Sequence, residues 1–279
     1  MKQLGPNLAL AAVLLGAPLT AQVPPAAAVA AAPEAAAPEA AAPKPLRELF
    51  TTAAGVTDPA TALLTVGSQT SYARDRSQAQ RFPAQVFLGI CPWLDLRASW
   101  SGPTTLKDPR GASQSGGGDP LFGGQFQGLH QDRAGVDLGL AYWHKLPRAS
   151  VEKGIGTGKA DDTLLVTASR TDGPWEVDMN GGANWLGRTD ADGRCRQGAL
   201  SLALTRTFGA GWNASLDTYA LAATELGPRS VTSILAASRD LTPSLTVDLG
   251  AEAGLTRSAE RLALDAGLVL RVGHLWGQK

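Results

Sequence analysis

From about residue 61 onward the chain alternates apolar and polar side chains with a period of two. Leu245, Val247, Leu249, Ala251, Ala253 and Leu255 are separated by Thr246, Asp248, Gly250, Glu252, Gly254 and Thr256. Leu262, Leu264, Ala266, Leu268, Leu270 and Val272 stand likewise against Arg261, Ala263, Asp265, Gly267, Val269 and Arg271. A third stretch opposes Trp175, Val177, Met179, Gly181, Ala183 and Trp185 to Glu176, Asp178, Asn180, Gly182 and Asn184. A helix would mix these sets around its axis, whereas a strand sorts them onto opposite faces. The pattern predicts about twelve strands, at roughly 62–72, 81–91, 93–101, 119–129, 135–146, 162–171, 174–187, 198–208, 212–224, 229–239, 244–256 and 261–273. Most are about 9–13 residues long, beyond the five or six usual in soluble sheets and close to the roughly nine to eleven that a tilted strand needs to cross a bilayer.

The connections carry a second signal. Long ones (YARDRSQAQR, GPTTLKDPRGASQSGGG, LPRASVEKGIGTGKADD, RTDADGRCRQ) alternate with short ones around Pro92, Gln131-Asp132-Arg133, Asp172-Gly173, Gly209-Ala210-Gly211 and Asp240-Leu241-Thr242-Pro243. Bacterial outer-membrane barrels alternate in this way because one end faces the exterior and the other the periplasm. The contrast weakens at the last two long-side connections, around Leu226-Gly227-Pro228 and Ser258-Ala259. Trp93, Trp175, Phe208 and Trp212 fall beside short turns, and Trp100, Tyr142 and Trp185 nearer the long loops, as two interfacial girdles would require. The predicted fold is all-β, a closed antiparallel transmembrane β-barrel of about twelve strands with lipid on its apolar face and polar side chains inside. Many glycines on the strands would serve curvature and crowding within it. A soluble β-sandwich that binds ligands is the alternative fold, and it would need no detergent for extraction.

Residues 1–21 read as a signal peptide: Lys2, an apolar run Leu8–Leu15 too short to span a bilayer, then a small-residue end at Ala21. Residues 22–60 read as an Ala/Pro-rich periplasmic spacer, disordered through its repeats, with a short helical turn within 46–60. Residues 61–279 form the barrel domain in this division, and outer membrane is the expected location. Equal numbers of basic and acidic residues, 25 each, give no reason to expect nucleic acid as a partner. The two cysteines, Cys91 at a short turn and Cys195 in a long loop, fall at opposite ends and are not expected to pair.

Gly117-Gly118-Asp119-Pro120 opens a strand. Leu146-Pro147 follows, then Gly154-Ile155-Gly156-Thr157-Gly158-Lys159-Ala160-Asp161-Asp162, then a strand beginning at Trp175 that contains Asn180-Gly181-Gly182. This ordered set resembles the outer-membrane transporter family grouped as "putative meta-pathway of phenol degradation" proteins, and the similarity covers most of 61–273. The resemblance implies an outer-membrane barrel that helps small, aromatic or hydrophobic molecules enter the cell. Such barrels often end on an aromatic residue recognised by the barrel-assembly machinery, whereas here Gly277-Gln278-Lys279 follow Trp276.

The glycines of 154–158 do not make a P-loop, because Lys153 stands where its first glycine belongs and Ala160 replaces its Ser/Thr. His130, His144 and His274 lack metal-ligand spacing. No catalytic, cofactor-binding or metal residues are assigned, and no nucleophile is marked by its sequence context. The candidate functional residues are the polar mid-strand positions expected to line the lumen: Asp137, Glu176, Asp178, Asn180, Asp217, Asp248, Glu252, Asp265 and Arg271. A mostly acidic lumen favours cations and neutral polar solutes. Two functions remain open: passive or facilitated uptake of small solutes, with lipid, assembly machinery and solute as partners, or a non-transporting structural or surface-interaction barrel with a plugged lumen.

Overall fold

The computed structural model describes residues 50–189, 191–273 and 275–276. The signal-peptide expectation, most of the spacer, His274 and the three C-terminal residues lie outside them.

Strands β1 (Ala62–Tyr72), β2 (Gln78–Arg81), β3 (Ala84–Cys91), β4 (Leu94–Trp100), β5 (Pro103–Lys107), β6 (Ser113–Gly117) and β7 (Pro120–Leu129) lead to a short helix, α1 (Gln131–Ala134). Then come β8 (Asp137–Lys145), β9 (Asp161–Asp172), β10 (Trp175–Gly187), β11 (Arg194–Phe208), β12 (Trp212–Leu221), β13 (Ser230–Thr242), β14 (Leu245–Gly254) and β15 (Leu262–Val272). All pair antiparallel with their neighbours, and β15 returns to β1 from Ala62↔Val272 to Tyr72↔Leu262. That last ladder closes the sheet, so no edge is left unpaired in hydrocarbon.

The barrel is twelve-stranded because β2, β5 and β6 prolong β3, β4 and β7. The β4–β7 pair Trp100↔Pro120 and the β5–β6 pair Pro103↔Gly117 share one register. The breaks fall at one height, at Phe82-Pro83, Ser101-Gly102 and Gly118-Asp119. Pro83 cannot donate to a ladder, and Gly102 sits at φ +73 with the Phe82 carbonyl against its Cα, where a side chain has no room. Two of the connections expected to be long loops are therefore folded hairpins, closed by tight turns at 73–77 and 108–112. Residues 146–160 do form a long loop. The fourth long connection shrinks to 188–193, which places Cys195 within β11 instead of a loop; it and Cys91, at the end of β3, are both free thiols. Register shifts at Gly89/Cys91, Gln127/Leu129 and Asp240/Thr242 all sit at the short-turn end, where bulges bend a barrel's rim.

Polarity follows strand parity. Outside, Leu200, Leu202, Leu235 and Leu249 are 50–65% exposed. Inside, Asp95, Gln125, Asn180 and Asp217 are at most 1% exposed. Trp93, Trp175, Phe208 and Trp212 stand exposed at one end and Trp100 and Tyr142 at the other. No helix among the described residues is long and apolar enough to cross a membrane. Leu249, 65% exposed in mid-β14, tests the lipid assignment. Leu249→Arg should cost about 2–4 kcal/mol of folding free energy in phospholipid vesicles, read as a shift in the denaturant midpoint. A soluble sandwich with this residue at its surface would lose almost nothing.

Candidate functional site

The interior is not bare. Residues 50–60 run inside the barrel as an extended strap that turns into β1 through the Thr61 N–H to Asp58 O hydrogen bond (3.2 Å); none of them is helical, and residues 46–49 of the helical turn expected within 46–60 lie outside the described residues. Thr51, Ala54, Thr57 and Ala60 are its buried positions, a spacing of three residues. That is the period of a polyproline-like extended chain, which makes no internal hydrogen bonds and must find its partners elsewhere.

The wall supplies them. At the short-turn rim, Ala60 N–H donates to Gly89 O at 3.0 Å, and Arg271 pairs with Asp58. Thr57 donates its N–H to Asp95 Oδ2 at 3.0 Å. Gln125 Nε2 donates to the carbonyls of Ala53 and Gly55 at 2.7 and 2.8 Å. Ala54 N–H donates to Ser169 Oγ at 2.7 Å, and that hydroxyl donates to Asp178 at 2.5 Å. Asn180 reads Thr52 as a second strand would: Thr52 N–H donates to its Oδ1 at 2.8 Å, and its Nδ2 donates to Thr52 O at 2.7 Å. Thr51 gives both N–H (2.8 Å) and hydroxyl (2.6 Å) to the Asp217 carboxylate. Phe50 stacks on Tyr219, with ring centroids 4.1 Å apart. The strap thus touches β4, β7, β9, β10 and β12, crossing the lumen instead of following one strand.

Two glycines make room for it. A Cβ on Gly89 would collide with the carbonyl oxygens of Thr57 and Asp58, and one on Gly139 would lie 3.0 Å from Ala54 O. Arg97 braces the same region. Its guanidinium grips Asp95 at 2.7 and 3.0 Å, donates to Thr52 Oγ1 at 3.2 Å, and lies 5.1 Å from the Phe87 ring centre.

Of the residues predicted from sequence, Asp178, Asn180, Asp217 and Arg271 meet the strap, directly or through Ser169. Asp137 lies lower, accepting from Gln127 Nε2 and the Gln131 N–H at 2.9 and 2.7 Å, with Glu176 half-buried on β10. Asp248, Glu252 and Asp265 stand on β14 and β15, where the strap's one contact is Asp58 with Arg271 at the short-turn rim; Glu252 accepts from Gln69 at 3.2 Å. Asp95, Arg97, Gln125 and Ser169 were missed, although strand parity marks all four as inward. At the opposite rim, Asp162 accepts from Tyr142 OH (2.5 Å) and from His144 Nδ1 (2.7 Å) and pairs with Arg194. Hydroxyl and imidazole address one carboxylate there. No group of metal-ligating side chains occurs among the described residues.

The family described as "Putative MetA-pathway of phenol degradation" matches residues 51–272. The chain belongs to this family. The match opens at Thr51, on the strap, not at the first strand. Among solved structures, the COG4313 outer membrane channel from Pseudomonas putida F1 aligns with TM-score 0.63 at 14% identity, over 78% of this chain and 98% of that one. The NanC porin aligns with TM-score 0.54 at 8% identity, over 74% of this chain and all of that one (100%). At such identities the likeness is one of fold. No curated relative matches the chain. A closed, even-stranded barrel with an apolar exterior belongs in a bacterial outer membrane, and this family member is an outer-membrane barrel.

Proposed function

We propose that this family member passes small solutes across the outer membrane along its interior, and that the strap narrows the path. The observation that carries this reading is the inner wall. Asp178, Asn180, Asp217, Asp248, Glu252 and Asp265 all face inward, whereas a barrel sealed by apolar packing would fill its interior with interlocking apolar side chains. Its family and the channel and porin that share its fold support the same reading. The excess of carboxylates favours cations and neutral polar solutes over anions. Small aromatic molecules, which the family's description brings to mind, would pass in neutral form.

Purified protein in liposomes tests this. Swelling with small uncharged solutes is expected, together with a cation-favouring reversal potential in planar bilayers. Glu252→Gln with Asp265→Asn should lower the cation preference several-fold while leaving heat-modifiable gel migration intact. The strap's dense hydrogen bonding favours a second reading, a structural barrel with a plugged lumen. A barrel that stays sealed to ions and sugars, with its strap seated and with it released, would establish that reading and remove the first.

A further inference from the structure

Strand β11 serves as a ruler for the membrane. On its outward face Arg196 and Arg206 bracket Leu200, Leu202 and Leu204, which are 60%, 50% and 40% exposed. The ten-residue step between the arginines, at about 3.3 Å per residue and a tilt of roughly 40°, spans about 25 Å, the height of an outer-membrane apolar band. Arg206 therefore stands where hydrocarbon gives way to headgroups, at the short-turn, periplasmic rim.

The sheet builds a patch around it. Arg206 pairs in register with Trp175 of β10, and its guanidinium lies 5.0 Å from the Trp175 ring and 5.0 Å from that of Phe208. Phe208 pairs with Trp212 of β12, and Trp212 with Arg239 of β13, whose guanidinium lies 5.2 Å from the Trp212 ring. All five side chains are exposed, and they form one continuous row across four strands.

The charge of this row is unanswered. Among the described residues neither Arg206 nor Arg239 forms an ion pair, whereas at the other rim Arg194 pairs with Asp162 and Arg188 with Glu225. A ring that holds one face of a guanidinium leaves its N–H edge directed outward, in the planar fork that matches a phosphate. Trp and Phe beside it offer the apolar surface that the upper carbons of an acyl chain need.

We propose that the β10–β13 arc at the periplasmic rim binds an anionic phospholipid of the inner leaflet. Arg206 and Arg239 hold the headgroup phosphate, and Trp175, Phe208 and Trp212 pack against the glycerol and first acyl carbons. Two cations without a protein counter-ion select a lipid of net negative charge over a zwitterionic one, whose own amine competes for the phosphate. This site lies on the outer wall and is independent of passage through the lumen.

The test is lipid titration of the full-length, detergent-solubilised barrel, with bound lipids counted by native mass spectrometry. Phosphatidylglycerol and phosphatidylcholine of identical chains are the probes. The first phosphatidylglycerol adduct is expected at a lipid concentration lower by about fivefold per guanidinium. R206Q/R239Q should bind both lipids alike while keeping its heat-modifiable migration. Equal binding of both lipids by the wild-type barrel overturns the proposal, as does a preference that survives the double substitution. Should the double variant fail to fold, the wild-type comparison and the single R239Q variant, altered only on the outer wall, decide the question.

Discussion

Replacing Asp217 and Asn180 together by alanine raises the single-channel conductance of the barrel several-fold. The physical reason is the strap's upper anchorage. Asp217 takes two hydrogen bonds from Thr51, and Asn180 exchanges two with Thr52. Hydrogen bonds to a charged acceptor contribute about 1.5–3 kcal/mol each and neutral ones about 0.5–1.5, so the four together hold at least about 4 kcal/mol. Losing them shifts the balance between seated and released strap on the order of a thousandfold. It also leaves the Thr51 N–H and hydroxyl without acceptors in a site where Thr51 is only 5% exposed, which drives the segment toward water. The strap continues into β1 at its lower end, where Ala60 is also hydrogen-bonded to Gly89 of β3, so release widens the lumen without opening the sheet. Planar-bilayer recordings of wild type and variant, each verified by heat-modifiable migration, read this out. An unchanged conductance would show that the strap does not limit the path.

The second large effect falls on stability. Arg97 is 6% exposed, Asp95 is fully buried, and the two form a two-point ion pair beside the strap. Arg97→Ala leaves the Asp95 carboxylate in the interior with only the Thr57 donors at 3.0 and 3.3 Å. Breaking a buried pair from one side costs about 3–5 kcal/mol, because the surviving charge stays desolvated. Denaturant titration in vesicles should show that loss. Replacing both partners at once, Asp95→Leu with Arg97→Met, removes the stranded charge and should recover most of it. A double variant as unstable as the single one would mean that Arg97 matters for its contact with the Phe87 ring or its bond to Thr52, not for its charge.

The wall of the barrel was legible in the sequence because a strand in a membrane must separate its side chains. Leu249 and Asp248 are neighbours in the chain and opposites in solvent: one meets lipid at 65% exposure and the other is buried at 3%. Parity alone assigned them, as it did for Met179 and Asn180. The same rule reached Asp95, Arg97, Gln125 and Ser169, whose inward positions could have been read had every strand been sorted as those three were. Strand β2 and the hairpin β5–β6 were less legible. Their residues are polar on both faces, since they project beyond the apolar band, and no alternation marks them.

The strap was not legible at all. Its buried positions, Thr51, Ala54, Thr57 and Ala60, repeat every third residue, a period that neither strand nor α-helix produces, and they carry no apolar signature. Its side-chain partners on the wall lie from 38 to 213 residues away in the chain. By itself the sequence determined the class of fold, the number of strands crossing the membrane and the side of the wall each residue takes. These follow from local alternation, because lipid and water impose it residue by residue. Only the tertiary structure decided what occupies the lumen. A segment with no internal hydrogen bonds goes wherever distant side chains satisfy its backbone, and that placement exists only once the barrel has closed around it.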